Sequence, residues 1–299
     1  MRSASTTGGC AILTRMTYIV TDALRLAPGP VKLAEHDAGD TSLFEGGKRE
    51  GQKALRDTGA ELADLQERMY ADAYTGGRRR VLVVLQGMDT SGKGGVIDHA
   101  LGLLSPNGFR VQSFKKPTEE ELEHDFLWRI EKALPDAGMV GVFDRSHYED
   151  VLIARVDELA DEAEIERRYQ AINDFEKSLV DSGTVVIKCM LNVSADEQRA
   201  RLLARLDDPA KQWKFKPGDI DGRERWDDYR KAYEVALERC NNDKAPWYVV
   251  PSDKKWYRNW AIGQLLVEAL RGMQLQWPEA SYDVEEQKAR LANEGDEGS

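Results

Sequence analysis

The sequence has few of the residues that build disulfide frameworks and zinc-type metal sites. Its 299 residues include three cysteines, Cys10, Cys189 and Cys240, and four histidines. The cysteines are odd in number and far apart, and the histidines show no ligand spacing. Neither a disulfide framework nor a cysteine or histidine metal site is therefore predicted. A reducing compartment, the cytoplasm, is the expected location.

Long apolar runs are also scarce, and basic residues are outnumbered by acidic ones. No apolar run approaches the roughly 18–20 residues that a membrane span needs. The segment CAILTRMTYIV is interrupted by Arg15, which makes it a poor signal peptide. With 42 lysines and arginines against 53 aspartates and glutamates, the net charge of −11 argues against bulk attraction to nucleic acid or to a membrane. A small anionic substrate bound by a local basic cluster remains compatible with this charge.

Hydrophobic patterning predicts alternating strands and helices. Five short apolar runs are typical of buried parallel strands: VLVVLQ at 81–86, RVQSF at 110–114, MVGVFD at 139–144, TVVIKCML at 184–191 and PWYVV at 246–250. Segments 48–74 and 162–182 carry apolar residues at helical spacing. Strands separated by helices indicate an α/β fold with a five-stranded parallel sheet covered by helices on both faces.

The domain organisation predicted from the sequence is simple. No internal repeat or long linker divides the interior, so residues 25–274 are expected to form a single catalytic domain. Residues 1–24 are expected to be an N-terminal extension, and residues 1–15 to be dispensable if Met16 is the true start. The acidic tail, 275–299, is predicted to be disordered because it has few large apolar residues.

A glycine-rich segment, GMDTSGKGG, directly follows the first apolar run and precedes a helical pattern. The spacing Gly87-x-x-x-x-Gly92-Lys93 matches a phosphate-binding loop up to its last position. There Gly94 replaces the Ser or Thr whose hydroxyl holds Mg²⁺. Backbone N–H groups of the loop and the Lys93 ammonium are expected to bind phosphate oxygens. The predicted phosphate-binding glycines are Gly87, Gly92, Gly94 and Gly95.

Two carboxylates are candidates to replace the missing hydroxyl as metal ligands. Asp89 lies inside the loop, and Asp144 ends the strand of MVGVFD, where a Walker-B carboxylate lies in phosphate-loop enzymes. Oxygen ligands suit Mg²⁺, with Mn²⁺ as the alternative. The bound metal would neutralise Asp89 and bridge it to the phosphates. Arg145 is predicted to stabilise charge on the transferring phosphoryl group, and a surface salt bridge is the alternative role.

Basic residues concentrate between 199 and 225. Such a row of cations would hold an anionic substrate. Interleaved acids leave a merely solvated surface as the alternative. Lys115 and Lys116 follow the second strand, where they would extend the row or bind nucleotide phosphates; a solvated loop is again the alternative.

Five segments stand in one order with the spacing of a known family: GMDTSGKGG, FKKPTEEELEHDFLWR, FDRSHYEDVL, DDPAKQWKF and APWYVVPSDKKWYRN. Together they resemble the polyphosphate kinase 2 family over residues 25–272. The resemblance implies a three-layer phosphate-loop kinase fold, similar to thymidylate kinase, with a helical lid at about residues 199–228. It also implies Mg²⁺-dependent transfer of phosphoryl groups between inorganic polyphosphate and nucleotides.

The resemblance assigns roles to individual residues. The family's loop Asp and Lys correspond to Asp89 and Lys93, and its second-strand Asp-Arg pair corresponds to Asp144 and Arg145; these four are the predicted catalytic residues. Its basic lid corresponds to the stretch that contains Arg201, Arg205, Lys211 and Lys214, which are predicted to follow the polyphosphate chain. The usual loop of the family has Ala, Ala and Asp where this sequence has Thr90, Ser91 and Gly94.

The expected activity is direct, in-line transfer of the terminal phosphoryl group between polyphosphate and a nucleotide, AMP to ADP, ADP to ATP or both. The segment DRSHYED is similar to that of the subgroup that accepts AMP as well as ADP, and Glu149 would mark this difference. Adenine nucleotides are the expected partners, with guanine as an alternative, and a homo-oligomer is expected. An ATP-dependent nucleoside monophosphate kinase and a non-catalytic nucleotide-binding protein are the two alternatives.

Overall fold

The computed structural model describes residues 19–293, which contain a five-stranded parallel sheet. The strands are β1 (Arg80–Gln86), β2 (Phe109–Ser113), β3 (Val140–Asp144), β4 (Thr184–Asn192) and β5 (Trp247–Pro251). They lie in the order β2-β3-β1-β4-β5, with β1 paired to both β3 and β4. Each strand lies within one residue of its predicted bounds, and the predicted fold class is confirmed.

Helices occupy most of the remaining chain. They are α1 (Ile19–Leu24), α2 (Lys48–Tyr74), α3 (Lys93–His99), α4 (Glu119–Leu122), α5 (Trp128–Lys132), α6 (Glu149–Val156), α7 (Glu162–Asp181), α8 (Ala195–Leu206), α9 (Gly218–Glu224), α10 (Trp226–Arg239), α11 (Lys255–Gly272) and α12 (Val284–Asn293). The two helices predicted from spacing, α2 and α7, are both present. Helices α7 and α8 begin where the side chains of Asp161 and Ser194 accept backbone hydrogen bonds from Glu164 and Glu197, respectively.

The sheet separates two hydrophobic cores. Successive residues of a strand point to opposite faces. Val81 and Val83 of β1 accordingly pack with residues of α2, α3 and α11, whereas Leu82 and Val84 pack with residues of α6, α7 and α10. Both faces of β1 are fully buried, which explains why its sequence is a continuous apolar run. The result is the predicted three-layer arrangement.

The N-terminal boundary of the domain lies earlier than predicted. Helix α1 packs on the core through Val20 and Leu24. The Glu268 carboxylate accepts hydrogen bonds from the backbone N–H groups of Val20 (3.1 Å) and Thr21 (2.8 Å). Residues 19–24 therefore belong to the domain and not to an extension. Residues 1–18, including Cys10, lie outside the described residues, and the prediction for them stays a prediction.

The predicted disorder of the tail differs from the structure at α12, which forms a helix with no buried residue. Asp283 precedes this helix, and its side chain accepts hydrogen bonds from the backbone N–H groups of Glu285 and Glu286. Residues 294–299 lie outside the described residues. In the part of the chain that the structure describes, no helix combines the length and apolar character needed to cross a membrane.

Candidate active site

The segment between β1 and α3 forms a tight loop that requires glycine at two positions. Gly87 and Gly92 have φ values of +150° and +107°, which disfavour residues with a Cβ atom. A Cβ on Gly92 would also lie 1.7 Å from Nη1 of Arg258. Thr90 adopts the left-handed conformation as well, with φ at 62°. The sequence therefore folds into the strand, loop and helix arrangement that a phosphate-binding loop requires.

Arg201 supports this loop from behind, and its predicted role along the polyphosphate chain stays a prediction. Its guanidinium is buried and donates to the backbone carbonyls of Thr90 (2.8 Å) and Ser91 (3.1 Å). It also donates to the carbonyls of Ser252 (2.6 Å) and Asp253 (3.0 Å), after β5. Because its N–H groups are already occupied by the protein, Arg201 ties the loop to the end of β5.

Two further loop supports were missed by the sequence reasoning. Arg258 on α11 donates to the Ser91 carbonyl (2.9 Å), and Gln198 on α8 donates to the Asp89 carbonyl (3.0 Å). Arg258 is within the segment PSDKKWYRN that carries the family resemblance, so its position in the motif was the available signal. Gln198 had no such signal, because nothing in the sequence shows which face of α8 meets the loop.

Lys93, the first residue of α3, points back across the loop. Its Nζ donates to the Gly87 carbonyl at 2.8 Å. Burial and the positive charge of Arg145 lower the pKa of Lys93, while Asp89 and Asp144 act in the opposite direction. A bound phosphate would add negative charge here and favour the ammonium form.

Arg145 and Asp89 face each other across the site. Nη2 of Arg145 lies 2.9 Å from Oδ1 of Asp89, and Nη1 lies 3.7 Å from Oε2 of Glu149. Arg145 directly follows β3 with φ at 64°, a conformation that costs a non-glycine residue free energy and recurs at functional sites. Burial raises the pKa of Glu149, although Arg145 and Lys93 counteract it. Arg145 is thus paired with two acids of the candidate site rather than with unrelated surface residues.

Asp89 and Asp144 fit a hard divalent cation. Both line one large cavity of about 840 Å³, beside the loop. Oδ2 of Asp144 accepts a hydrogen bond from Oγ of Ser113 at 3.4 Å. Within residues 19–293, no group of three or more His, Cys, Asp or Glu side chains is arranged to hold a metal. Mg²⁺ is typically held by one or two carboxylates together with waters and substrate phosphates, so two carboxylates beside a phosphate loop suit it.

The large cavity extends from the loop to the predicted lid, which comprises the end of α8, a short turn, α9 and the start of α10. Its cationic lining residues are Lys93, Arg145, Arg201, Arg205, Lys211, Lys214, Lys216, Lys255 and Arg258. Lys211 is exposed and lies 2.6 Å from Asp208, and Arg205 lies 3.9 Å from Asp219. The structure therefore brings all four predicted lid cations to one cavity, although Arg201 is buried in its wall.

Lys115 and Lys116 are not part of the large cavity. Both are exposed after β2, and neither lines it. The Lys115 carbonyl accepts a hydrogen bond from Arg129 at 2.9 Å, which fixes the backbone rather than the ammonium group. Their predicted phosphate-binding role stays a prediction, with the solvated loop as the alternative.

A small cavity of about 290 Å³ adjoins the large one. Asp89 and Arg145 line both cavities. Apolar side chains, Leu152 and Ile153, and the half-buried Tyr229 give the small cavity a different character, and Glu149, Asp157 and Arg225 are among its polar groups. The glycine loop and the Asp144–Arg145 turn therefore separate a cationic space from a mixed apolar and polar one.

A buried polar network lies beneath the turn that carries Arg145. Lys188 on β4 donates to Glu176 on α7 and to Tyr148 Oη (3.1 Å), and Tyr148 Oη donates to Glu176 (2.7 Å). His147 is buried with Nε2 3.4 Å from Glu176. Burial alone would raise the pKa of Glu176, but Lys188 and the His147 hydrogen bond hold it below its usual value. His147 therefore lies in the interior, apart from the reacting groups.

A three-layer fold with a glycine loop after its central strand and an acid–arginine turn on the neighbouring strand defines the class of phosphate-loop kinases. Within that class the chain belongs to the polyphosphate kinase 2 family, whose model matches residues 45–278. The resemblance inferred from the five sequence segments is thereby confirmed.

Two named relatives and one solved structure agree with this family assignment. The chain is 46% identical to the AMP/ADP-polyphosphate phosphotransferase of Meiothermus ruber over 84% of this chain and 92% of that protein. It is 41% identical to the ADP-polyphosphate phosphotransferase of Rhodopseudomonas palustris over 80% of this chain and 85% of the relative. The crystal structure of polyphosphate kinase 2 from Arthrobacter aurescens TC1 is 51% identical, with a TM-score of 0.89 over 92% of this chain and 96% of that chain.

Proposed function

We propose that this protein transfers a terminal phosphoryl group between inorganic polyphosphate and an adenine nucleotide, AMP or ADP, with Mg²⁺ as the divalent cation. The large cavity is the observation that carries the proposal. Its cations continue from Lys93 along the lid to Lys216, which exceeds what the phosphates of a mononucleotide require. A repeated anion matches such a row, and the family membership supports the same donor.

The small cavity is the proposed site of the acceptor nucleotide. Leu152, Ile153 and Tyr229 offer apolar surface to a base or ribose, while Glu149 and Asp157 offer hydrogen-bond acceptors. Guanine nucleotides could use the same acceptors, so base preference is left to the assay. Because Asp89 and Arg145 belong to both cavities, the donor and acceptor phosphates would meet beside them.

The residues then act by positioning and by charge. Lys93 and the loop N–H groups bind the terminal phosphates of the donor. The Arg145 guanidinium leaves the Asp89 carboxylate and pairs with the transferring phosphoryl group. An oxygen of the acceptor phosphate forms the new P–O bond as the bond to the bridging oxygen breaks, with no covalent enzyme intermediate. Asp89 and Asp144 would hold Mg²⁺, which supplies charge neutralisation at the phosphate oxygens.

The test is turnover with purified protein, polyphosphate and a divalent cation, with AMP, ADP and the guanine nucleotides supplied in turn and the products separated by chromatography. We expect ADP from AMP or ATP from ADP with Mg²⁺, and loss of both after chelation. Phosphorylation of AMP by ATP but not by polyphosphate would identify a nucleoside monophosphate kinase. Nucleotide binding without turnover under any condition would identify a binding protein.

A cytoplasmic location and a homo-oligomeric state complete the proposal. Cys189 and Cys240 are both free, which agrees with a reducing compartment. Light scattering on the eluting protein would measure the oligomeric state, and a monomer mass would contradict this part of the proposal.

A further inference from the structure

A second basic cavity lies on the far side of the phosphate loop from the small cavity. This α2 cavity, of about 570 Å³, lies between the first turns of α2, the end of α3 and the start of α11. Lys48 and Arg56 line it from α2, and Lys254 and Lys255 line it from the β5–α11 connection. Nothing in the phosphoryl-transfer mechanism above uses Lys48, Arg56 or Lys254.

Among the residues that the structure describes, the cations of the α2 cavity have no ionic partner. Over residues 19–293, the side chains of Lys48, Arg56, Lys254 and Lys255 form no salt bridge, although salt bridges are common elsewhere in the protein. Two carboxylates line the same cavity, but both are engaged: Glu197 with Arg201 (2.8 Å), and Asp253 with the backbone N–H of Ser194 (2.8 Å). The cavity therefore presents an excess of positive charge in a protein whose net charge is −11.

Two cations of the cavity wall, Lys255 and Arg258, are disfavoured in their ionised forms. Burial and the nearby Arg201 lower the pKa of Lys255. Burial and Arg201 likewise lower the pKa of Arg258 to about 10. Like charges that crowd in this way disfavour the ionised forms, and a bound polyanion would relieve the repulsion.

The α2 cavity adjoins the large cavity. Gly95, Glu197, Lys255 and Arg258 line both. Gly95 and Gly94 lie in the first turn of α3, and neither has a side chain to close the passage beside the loop. A linear anion whose end lies at Lys93 could therefore pass this turn and enter the α2 cavity.

We propose that the α2 cavity binds the distal phosphates of a long polyphosphate chain whose reacting end occupies the large cavity. This inference rests on the proposed function, because it requires polyphosphate as the substrate. A nucleobase is a weaker fit, since the indole of Trp256 in the wall packs edge-on against Phe44 (centroids 5.5 Å apart) and covers Gly51. Chain-length preference is the expected consequence: donors too short to reach the α2 cavity gain nothing from it.

The experiment compares two double variants on the same helix. Lys48→Gln with Arg56→Gln removes two cations from the cavity wall, and Arg49→Gln with Lys53→Gln removes two exposed cations that do not line it. For the cavity variant we expect the KM for long polyphosphate to rise by about threefold to thirtyfold, the range for two exposed ionic contacts. Its KM for tripolyphosphate and for the nucleotide, and its kcat, should match those of the parent. Calorimetric titration with long polyphosphate in the absence of nucleotide should show the same loss of affinity.

The outcomes separate this inference from the proposed function. Equal KM changes in the cavity and control variants would show a general charge effect and overturn the inference, as would equal changes for short and long donors. A rise in the nucleotide KM alone would assign the cavity to a nucleotide instead. If the parent protein uses no polyphosphate of any length, the proposed function itself fails. If both variants unfold at the same melting temperature as the parent, misfolding is excluded as the cause.

Discussion

Replacing Arg201 by alanine tests whether this residue supports the phosphate loop or contacts the substrate. Its side chain donates five hydrogen bonds: four to backbone carbonyls and one to Glu197. The Thr90 and Ser91 carbonyls would lose a charged donor that water can replace only in part. We therefore expect a loss of folding stability together with a misplaced loop.

The magnitude follows from the burial of the guanidinium. Hydrogen bonds to charged groups contribute about 1.5–3 kcal/mol each, but bonds made by a single group do not simply add. Removing one partner from a buried charged arrangement costs about 3–5 kcal/mol, which gives the expected loss for Arg201→Ala. In a domain of this size, that loss lowers the melting temperature by roughly 10 °C. Arg201→Lys should recover little, because an ammonium cannot reproduce the planar set of donors.

Arg205→Ala is the matched control on the same helix. Arg205 is partly exposed and has only long contacts, at 3.4 Å to the Lys214 carbonyl and 3.9 Å to Asp219. We expect the variant to have the melting temperature of the parent. Its KM for polyphosphate should be higher than that of the parent, and this difference should become smaller as salt is added. Thermal unfolding followed by circular dichroism, combined with steady-state kinetics at two ionic strengths, measures both effects. Parent-like melting of Arg201→Ala with only a raised KM would refute the supporting role and restore Arg201 to the substrate track.

Three further predictions concern the loop and its neighbours. Asp89→Asn and Asp144→Asn should each lower kcat by at least about 10²–10³-fold with the fold retained, and near-parent turnover of Asp89→Asn with Mg²⁺ would exclude Asp89 as a metal ligand. Gly92→Ala should abolish activity because its Cβ would clash with a guanidinium, whereas Gly94→Ala should remain active because no atom lies within 4 Å of its Cβ position; equal rates would contradict the loop geometry. Burial, opposed by nearby cations, raises the pKa of Glu149 above 4.5, so its ionised form destabilises the folded state at neutral pH. Glu149→Gln should therefore raise the melting temperature at pH 7, a gain that diminishes as the pH falls towards 4, and a pH-independent difference would contradict this.

The strands and the glycine loop could be predicted because their causes are local. A strand buried on both faces must be an apolar run, as in β1, and a loop with positive φ values needs glycine at fixed spacing. The place of an individual side chain relative to distant elements was harder to predict. Arg201 and Arg205 are four residues apart on α8, and only the approach of the loop distinguishes them.

Contacts between distant parts of the chain account for the remaining differences. Helix α1 is held by Glu268, 248 residues away from Val20, and no local pattern marks that pairing. The α2 cavity likewise forms only when α2, α3 and α11 come together. Residue types alone gave no reason to group Lys48 with Lys254.

The buried pair of Lys188 and Glu176 has a consequence for motion. Neither side chain is exposed, and separating them would leave an uncompensated charge in the interior, at a cost of about 3–5 kcal/mol. The turn above them, with Tyr148 bonded to both, is therefore held in one arrangement. Contacts within the lid, such as that of Lys211 with Asp208, are exposed and contribute at most about 1 kcal/mol. The active site thus has one stationary wall, which carries Arg145, and one wall that yields first to thermal fluctuation, so substrate entry and product exit should follow the lid side.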